Sequence, residues 1–261
     1  MRRRRFLFAG DSAAGQPAQE EAAIDTLLQG LRQAVHLILS LDPEVLEIAG
    51  LSLRVSGTAL AISVLLGVPL GAALGLRRFT GWSFLRLMLY TGMGLPPVVV
   101  GLFVYILLSR NGPLGALNAA LIPRLFTPAA MITAQTLIIF PIVTGFTMAA
   151  LLGVDPLLRQ QLLSLGATPW QATLTLLVEA RAGIAAAVAA GLGRALAEVG
   201  AVMMVGGNIA GETRVLTTAI VLETSKGNFD VAIALGLILL AMALVINFVI
   251  LQLEERFFRP L

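Results

Sequence analysis

The chain has 261 residues, of which 57% are hydrophobic and 13% are charged, and its formal net charge at pH 7 is +3. A soluble globular domain carries about 25% charged residues, so the composition excludes one and indicates an integral membrane protein. Cysteine is absent and His36 is the one histidine, which excludes disulfides, thiolate metal sites and histidine metal sites.

The first 23 residues form a compositional zone of their own, in which MRRRR precedes a polar stretch. No apolar run of about 7–15 residues follows the arginines, so we predict a disordered or over-long N-terminal tail and no signal peptide. Between residues 24 and 46, apolar residues recur at helical spacing, although Arg32 and His36 interrupt them. This segment predicts an amphipathic, interfacial helix, because it is too short and polar to cross about 30 Å of hydrocarbon.

Residues 47–255 contain the apolar segments that predict an all-α membrane protein of about five transmembrane helices. Pro96 and Pro97 interrupt the second segment, and prolines inside an apolar run must kink or break its helix. A sixth span is possible if residues 24–46 also cross the bilayer. The predicted spans are 49–76, 83–108, 127–152, 183–205 and 230–253, and a tail follows at 256–261.

The orientation follows from the loops, since cytoplasmic loops carry an excess of arginine and lysine. The loops on the side of segment 153–182 and the C-terminal tail hold seven arginines, whereas the opposite loops hold four basic residues. This predicts a cytoplasmic 153–182 segment and an extracytoplasmic loop at 206–229. Five spans would then place the N-terminus outside, against the Arg2–Arg5 run, so five or six spans stay open. Because topology accounts for the basic flanks, we predict no nucleic-acid partner.

The stretch 159–182 is the one long, amphipathic and polar-studded segment between spans. Gly166 suits the end of one helix and Pro169 suits the first position of the next. The pattern predicts two short helices that meet at a corner and present Trp170 beside it. A segment of this kind in so hydrophobic a chain predicts docking of a partner, through Gly166, Ala167, Thr168, Pro169 and Trp170.

Arg194 and Glu198 lie four residues apart inside the fourth predicted span, and therefore on one face of a helix. Charged groups inside a span are costly and usually functional. Two interpretations stay open. The pair neutralises itself to hold the bundle together, or it faces an aqueous path and shapes a gate.

The loop 206–229 is polar and punctuated by glycine. Gly206, Gly207 and Asn208 suit a sharp turn that exposes backbone N–H groups to an oxyanion. Arg214, with the neighbouring threonines, would add side-chain donors. An ordinary loop without a ligand explains the same residues. Deeper in the chain, Gln135, Thr136 and Asn247 are polar groups within spans, for which interhelical hydrogen bonding or pore lining is predicted.

No phosphate-binding glycine loop of the Walker type and no nucleophile–base or metal-binding constellation appears in the sequence. We therefore predict a non-enzymatic chain without a cofactor of its own, which cannot drive transport by hydrolysing a nucleotide. A partner would have to supply that energy.

Segment 159–182 resembles the cytoplasmic coupling loop of permease subunits of binding-protein-dependent ABC importers. Gly166 holds the family's glycine position, although Gln160-Gln161-Leu162 stands where the family has Glu-Ala-Ala and 176–179 departs from its ending. The sequence GRALAEVGA at 193–201, followed by Gly207-Asn208-Ile209, is similar to the sulfate, molybdate and tungstate branch. Residues 94–115 match that branch too, and 201–236 is similar to tungstate permeases in particular.

The resemblance implies a type I ABC importer permease bundle in the cytoplasmic (inner) membrane of a bacterium or archaeon. It also implies a homodimer, a cytoplasmic ABC ATPase dimer that uses ATP and Mg, and an extracytoplasmic tungstate-binding protein. Arg194, Glu198, Gly206, Gly207, Asn208 and Arg214 are the candidates for the translocation path or gate.

Molybdate or sulfate is the alternative substrate within this class. From another class, an ion-coupled secondary transporter would need a titratable acid at depth, for which Glu198 is the sole candidate. Arg194 would hold that acid ionised. A membrane enzyme or an assembly scaffold is a third option, for which the sequence contains no supporting constellation.

Overall fold

The computed structural model describes residues 28–33, 35, 36, 40, 42–117, 119 and 122–257. These residues form α-helices without β-strands, which confirms the all-α class. The predicted tail at 1–23 lies outside the described residues, as do 258–261. Within the predicted amphipathic segment, the described residues between 28 and 36 are helical, and Gly30 packs against Ile233.

Most of the helices follow one another with short connections, as is typical of a helical bundle, whereas a long segment at 109–127 connects the third and fourth. A 3₁₀ turn at Gly115–Leu117 stands between the third and fourth of them. Their bounds are α1 Pro43–Leu76, α2 Trp82–Met93, α3 Pro97–Leu108, α4 Pro128–Leu152, α5 Pro156–Ser164, α6 Pro169–Glu179, α7 Arg181–Leu196, α8 Gly200–Gly206, α9 Leu216–Lys226 and α10 Phe229–Phe257.

Helix α1 begins well before residue 49, the predicted start of the first span. Asp42 caps it by accepting the backbone N–H groups of Glu44 and Val45, and Pro43 fits the first helical position because its missing N–H needs no partner. Its 34 residues extend about 51 Å, against about 30 Å of hydrocarbon. The helix must therefore tilt or project from the bilayer.

Among the described residues, three helices are long and apolar enough to cross a membrane, over Pro43–Leu76, Pro128–Leu152 and Phe229–Gln252. Two bent helix pairs raise the number of spans to five if each pair counts as one. The pairs are α2 with α3 and α6 with α7. This agrees with the predicted bundle of about five spans, but two of the spans are not straight helices.

The second predicted span is broken by 100° between α2 and α3. Pro96 and Pro97 follow directly after Gly94-Leu95, and helix α3 starts at Pro97. At one end of the pair, Trp82 packs against Leu74 near the end of α1. At the other end, Leu108 packs against Met131 near the start of α4. The broken pair therefore joins the two ends of the bundle.

We call the end that carries Leu76, α5 and α6 the corner end, and the end that carries Leu108 and Gly206 the opposite end. Helices α1 and α4 run in the same direction between them. Helix α7 returns from the corner end beside α4, and Gly183 lies against Ala150 there.

The prediction of a single helical span over 183–205 is wrong. Helix α7 starts at Arg181 and ends at Leu196, and a separate helix α8 starts only at Gly200. The Glu198 carboxylate accepts the N–H of Ala201, and in this way it caps the new helix instead of continuing the old one. No proline marks this break, which explains why the apolar pattern did not predict it.

Close contact between α1 and α4 forms the centre of the fold. Three glycines on successive turns of α1 (Gly67, Gly71 and Gly75) face α4. A Cβ atom at Gly71 would lie 2.6 Å from the carbonyl oxygen of Thr144, closer than real atoms approach. Small residues therefore let the two backbones touch, as they do in other membrane helix pairs.

The Gly71→Ala substitution is expected to destabilise the bundle by about 1–3 kcal/mol, because the added methyl group meets backbone atoms of α4. Gly57→Ala on the same helix is the matched control, since a Cβ there meets nothing within 4 Å. Alanine at that position should be neutral, or stabilising by about 1 kcal/mol. Unfolding midpoints in one detergent measure both. Equal midpoints for the two variants would contradict close packing of α1 on α4.

Candidate functional site

The predicted corner is present, and its first half is the end of helix α5. Gly166 adopts a left-handed φ of +88°. Its N–H donates to the Leu163 carbonyl, and the N–H of Ala167 donates to the Leu162 carbonyl. This pair of bonds is the Schellman arrangement that ends a helix, and glycine suits its left-handed position.

The second half of the corner is the start of helix α6. Pro169 occupies the first turn, as predicted. The Thr168 hydroxyl accepts the N–H of Gln171, and the Gln171 side chain accepts the N–H of Thr168. This reciprocal capping box fixes the direction in which the chain leaves the corner.

One face of α6 anchors the corner to the bundle. Ala172 and Leu176 are buried on this face, and so is Ala180 directly after the helix. Leu176 and Ala180 pack with Ala72 of α1 and Leu151 of α4. The corner is therefore attached to the two helices at the centre of the fold, and a force on it reaches them directly.

The opposite side of the corner is open and apolar. Trp170 is 68% exposed and Leu165 is 84% exposed. Nothing lies within 4 Å of the position that a Cβ atom would take at Gly166. The five residues from Gly166 to Trp170 thus stand together on a rigid projection. An exposed aromatic group of this kind is typical of an interface anchor.

Arg194 and Glu198 form the ion pair that their spacing predicts, with 3.6 Å between Nη1 and Oε2. The side chain of Glu198 is only 2% exposed, and that of Arg194 is 31% exposed. The pair is thus asymmetric, since the carboxylate is enclosed and the guanidinium reaches the surface. Its position at the break between α7 and α8 links it to the helix ends on both sides.

A group of buried hydrogen bonds surrounds this break. The Thr217 hydroxyl donates to the Glu198 carbonyl, and Gln135 Nε2 donates to the Ala195 carbonyl. Nearby, the N–H of Leu216 donates to the Ser52 hydroxyl. We call this group the polar joint. It connects α1, α4 and α9 to the end of α7.

The interhelical bond of Gln135 agrees with the prediction for this residue. Thr136 and Asn247 differ, because their side chains donate to carbonyls of their own helices, at Ile132 and Ala243. The Oε1 atom of Gln135 is buried without a partner in the described part of the chain. Gln135 and Ser56 both line a void of about 10 Å³. Sequence reasoning did not find Ser52 or Ser56, because nothing local marks them. It named Thr217 as a donor to an oxyanion, whereas the Thr217 hydroxyl donates to the Glu198 carbonyl.

Replacing Gln135 by leucine is expected to destabilise the bundle by about 1 kcal/mol, because the Ala195 carbonyl loses its side-chain donor and keeps only backbone donors such as the Glu198 N–H at 3.4 Å. The adjacent Thr136→Val is the control, since its hydroxyl bonds only within α4. Unfolding midpoints of the two variants test the polar joint. A leucine variant as stable as the valine variant would show that the Gln135–Ala195 bond contributes little.

The turn predicted after Gly206 is present, with left-handed φ values of +75° at Gly207 and +52° at Asn208. Several donors proposed for an oxyanion are already engaged within the chain. The N–H of Gly207 donates to Met203, the N–H of Ile209 donates to the Thr213 hydroxyl, and that hydroxyl donates to the Gly206 carbonyl. In this conformation the loop is held together by its own hydrogen bonds.

Arg214 forms an ion pair that is separate from the Arg194–Glu198 pair. Its Nη1 atom is 3.6 Å from Glu44, an exposed residue in the first turn of α1. The candidates for the translocation path thus fall into two groups, one at the polar joint and one in the loop at the opposite end. Their roles in transport stay predictions.

The sequence from residue 67 to residue 259 matches the family described as the inner membrane component of binding-protein-dependent transport systems. This range includes α4, the corner, the break and most of the other helices. The chain belongs to this permease family.

Two relatives extend the match over most of the permease. The tungstate uptake system permease protein TupB of Peptoclostridium acidaminophilum is 41% identical over 232 residues, which are 89% of this chain and 100% of that protein. A probable anion ABC transporter permease protein of Haloferax volcanii is 45% identical over 206 residues, which are 77% of this chain and 87% of that protein.

A solved structure shares the fold of the permease. It is a bacterial alginate ABC transporter in complex with an alginate-bound periplasmic protein, and it matches with a TM-score of 0.68 at 21% sequence identity. The match covers 92% of this chain and 89% of that chain. The permease is therefore a multi-pass inner membrane protein with the fold of an ABC importer permease. Family membership also removes the basis for the ion-coupled secondary transporter considered above.

Proposed function

We propose that the permease forms the translocation path of an ATP-driven tungstate importer and couples to a separate ATPase through the corner at Gly166–Trp170. Two copies of this chain would form the path. A cytoplasmic ATPase dimer would bind and hydrolyse ATP with Mg, and an extracytoplasmic protein would bind tungstate and deliver it. The permease itself would be non-catalytic and would need no cofactor.

The structure of the corner is the main support for coupling to the ATPase. It combines an exposed Trp170 with a buried face that packs on α1 and α4. A helix pair seated in a groove of a partner transmits rigid-body movement, provided that the helices are firmly attached to the moving bundle. The attachment is observed here, since the caps fix the corner and α6 packs on α1 and α4.

The charge at the opposite end supports an anion as substrate. A cavity of about 1060 Å³ opens there between α3, α4 and the segment that connects them. Arg110 and Arg124 are the charged residues in its lining, and both are exposed. A cleft with charge of one sign raises the local concentration of oppositely charged ligands. Similarity to the P. acidaminophilum tungstate permease over that protein's whole length supports tungstate among the oxyanions.

Uptake in a strain that lacks this chain tests the substrate. We expect tungstate accumulation to fall in that strain and to return with the wild-type chain. Molybdate and sulfate uptake, measured in parallel, should change much less. Unchanged tungstate accumulation would reject the proposal. If molybdate or sulfate uptake falls more than tungstate uptake, the chain is still part of an importer, but its substrate is that other oxyanion.

A further inference from the structure

Two arginines stack beside one tryptophan at the corner end of the bundle. The guanidinium carbon of Arg78 lies 5.6 Å from the centre of the Trp82 ring, and that of Arg86 lies 5.2 Å from it. Arg86 also lies 5.2 Å from the centre of the Tyr90 ring. The Trp82 ring is held in place, since its indole N–H donates to the Leu74 carbonyl at 2.8 Å. We call these four residues, Arg78, Trp82, Arg86 and Tyr90, the aromatic–arginine cluster.

The cluster has positive charge without a carboxylate to balance it. The ion pairs among the described residues join Arg194 to Glu198, Arg214 to Glu44 and Lys226 to Glu223, and they leave Arg78 and Arg86 without an acidic partner. Arg86 is half-buried. Stacking on aromatic rings compensates a cation only in part, and two like charges beside one ring repel each other. An anion that contacts both guanidinium groups would remove that repulsion.

The surroundings of the cluster favour a lipid over a free anion. Phe84, Leu87 and Met88 on the same helix α2 expose large apolar side chains. Trp82 packs against Leu74 and Met148 near the ends of α1 and α4, a depth at which aromatic residues meet the headgroup region. Cations beside exposed apolar surface match both parts of a phospholipid, a charged headgroup and its acyl chains.

We propose that the aromatic–arginine cluster binds the phosphate headgroup of an anionic phospholipid in the cytoplasmic leaflet. The guanidinium groups of Arg78 and Arg86 donate to the phosphate oxygens, and the rings hold both cations in position. The acyl chains lie along the exposed apolar side of α2. The leaflet rests on the orientation used in the proposed function, but binding of the lipid does not depend on which substrate is carried.

Lipid addition to the purified, assembled transporter in detergent tests this site. We expect phosphatidylglycerol to raise the melting midpoint and to remain attached in native mass spectrometry, whereas phosphatidylcholine does neither. Each of Arg78→Gln and Arg86→Gln should weaken the apparent affinity for phosphatidylglycerol about fivefold, since an arginine near a membrane surface contributes about 1 kcal/mol. Arg86→Lys should retain part of the affinity, because it keeps the charge and loses the planar stacking group.

Arg54→Gln is the matched control, because Arg54 is an exposed arginine of α1 outside the cluster, and the affinity of this variant for phosphatidylglycerol should equal that of the wild type. Equal affinity in all variants would overturn the proposal. An equal rise in the midpoint with inorganic phosphate alone would also overturn it and would indicate a site for soluble phosphate. If Arg86→Gln fails to assemble, the exposed Arg78→Gln decides the question by itself.

Discussion

Replacing Trp170 by aspartate is expected to abolish transport and leave the permease folded in the membrane. Trp170 is 68% exposed and contributes nothing to the buried core, so its loss should not disturb the bundle. An aromatic anchor at the centre of an interface contributes about 2–4 kcal/mol, so docking of the ATPase should weaken by about 30- to 1000-fold. ATPase activity stimulated by the loaded binding protein should fall to the unstimulated level.

Thr175→Asp is a suitable control for this prediction. Thr175 is also exposed on α6, and its hydroxyl donates to Gln171 of the same helix. The same charge is thus added to the same helix without removing the anchor. We expect Thr175→Asp to retain most of the stimulated activity. If Trp170→Asp shows normal stimulated hydrolysis in reconstituted vesicles, the corner is not the coupling element.

A large loss of stability is expected from Glu198→Leu. The substitution removes a carboxylate that is 2% exposed, accepts the N–H of Ala201 and faces Arg194. Breaking a buried ion pair by removing one partner typically costs about 3–5 kcal/mol, because the remaining charge is left uncompensated. We expect a value near the lower limit of that range, since Arg194 reaches the surface. The unfolding midpoint in detergent measures this loss.

The double variant Arg194→Leu, Glu198→Leu separates the cost of the unpaired charge from that of the lost cap. It should recover part of the stability lost in Glu198→Leu, because neither charge then remains. Strictly additive losses would show that the two side chains do not interact.

Glu198→Gln distinguishes the two interpretations of this ion pair. The amide oxygen still accepts the N–H of Ala201, so the cap is kept and only the charge is lost. Near-normal stability with normal tungstate uptake would assign the pair to holding the bundle together. Near-normal stability with lost uptake would assign it to the gate.

The features that could be predicted from the sequence are those encoded by neighbouring residues. Gly166 and Pro169 have backbone preferences that belong to one position each, so the end of α5 and the start of α6 were predictable. The Pro96-Pro97 pair likewise predicts a break, although its angle of 100° depends on packing against α4 and α8. The spacing of Arg194 and Glu198 predicts their contact for the same local reason.

The features that could not be predicted depend on partners far away in the chain. Helix α7 ends at Leu196 because Gln135 and Thr217 bind carbonyls there and Glu198 turns to cap α8. The spacing of apolar residues over 183–205 does not indicate any of these contacts. The ion pair of Arg214 with Glu44 could not be predicted for the same reason, since 170 positions separate the two residues. The sequence of the loop predicted an oxyanion as the partner of Arg214 instead.

The glycine contacts between α1 and α4 have a mechanical consequence. Backbones that touch at Gly67, Gly71 and Gly75 leave no slack for sliding, so these two helices act as one stiff lever that starts at the corner. The helices of the neighbouring spans are interrupted instead, before Pro97 and after Leu196. Helices α3 and α8 follow these interruptions and lie against each other, since Gly101 meets Ala201. Both helices also pack on α4 around Met131 and Ala134, so a movement of this pair relative to the lever has to break that buried contact.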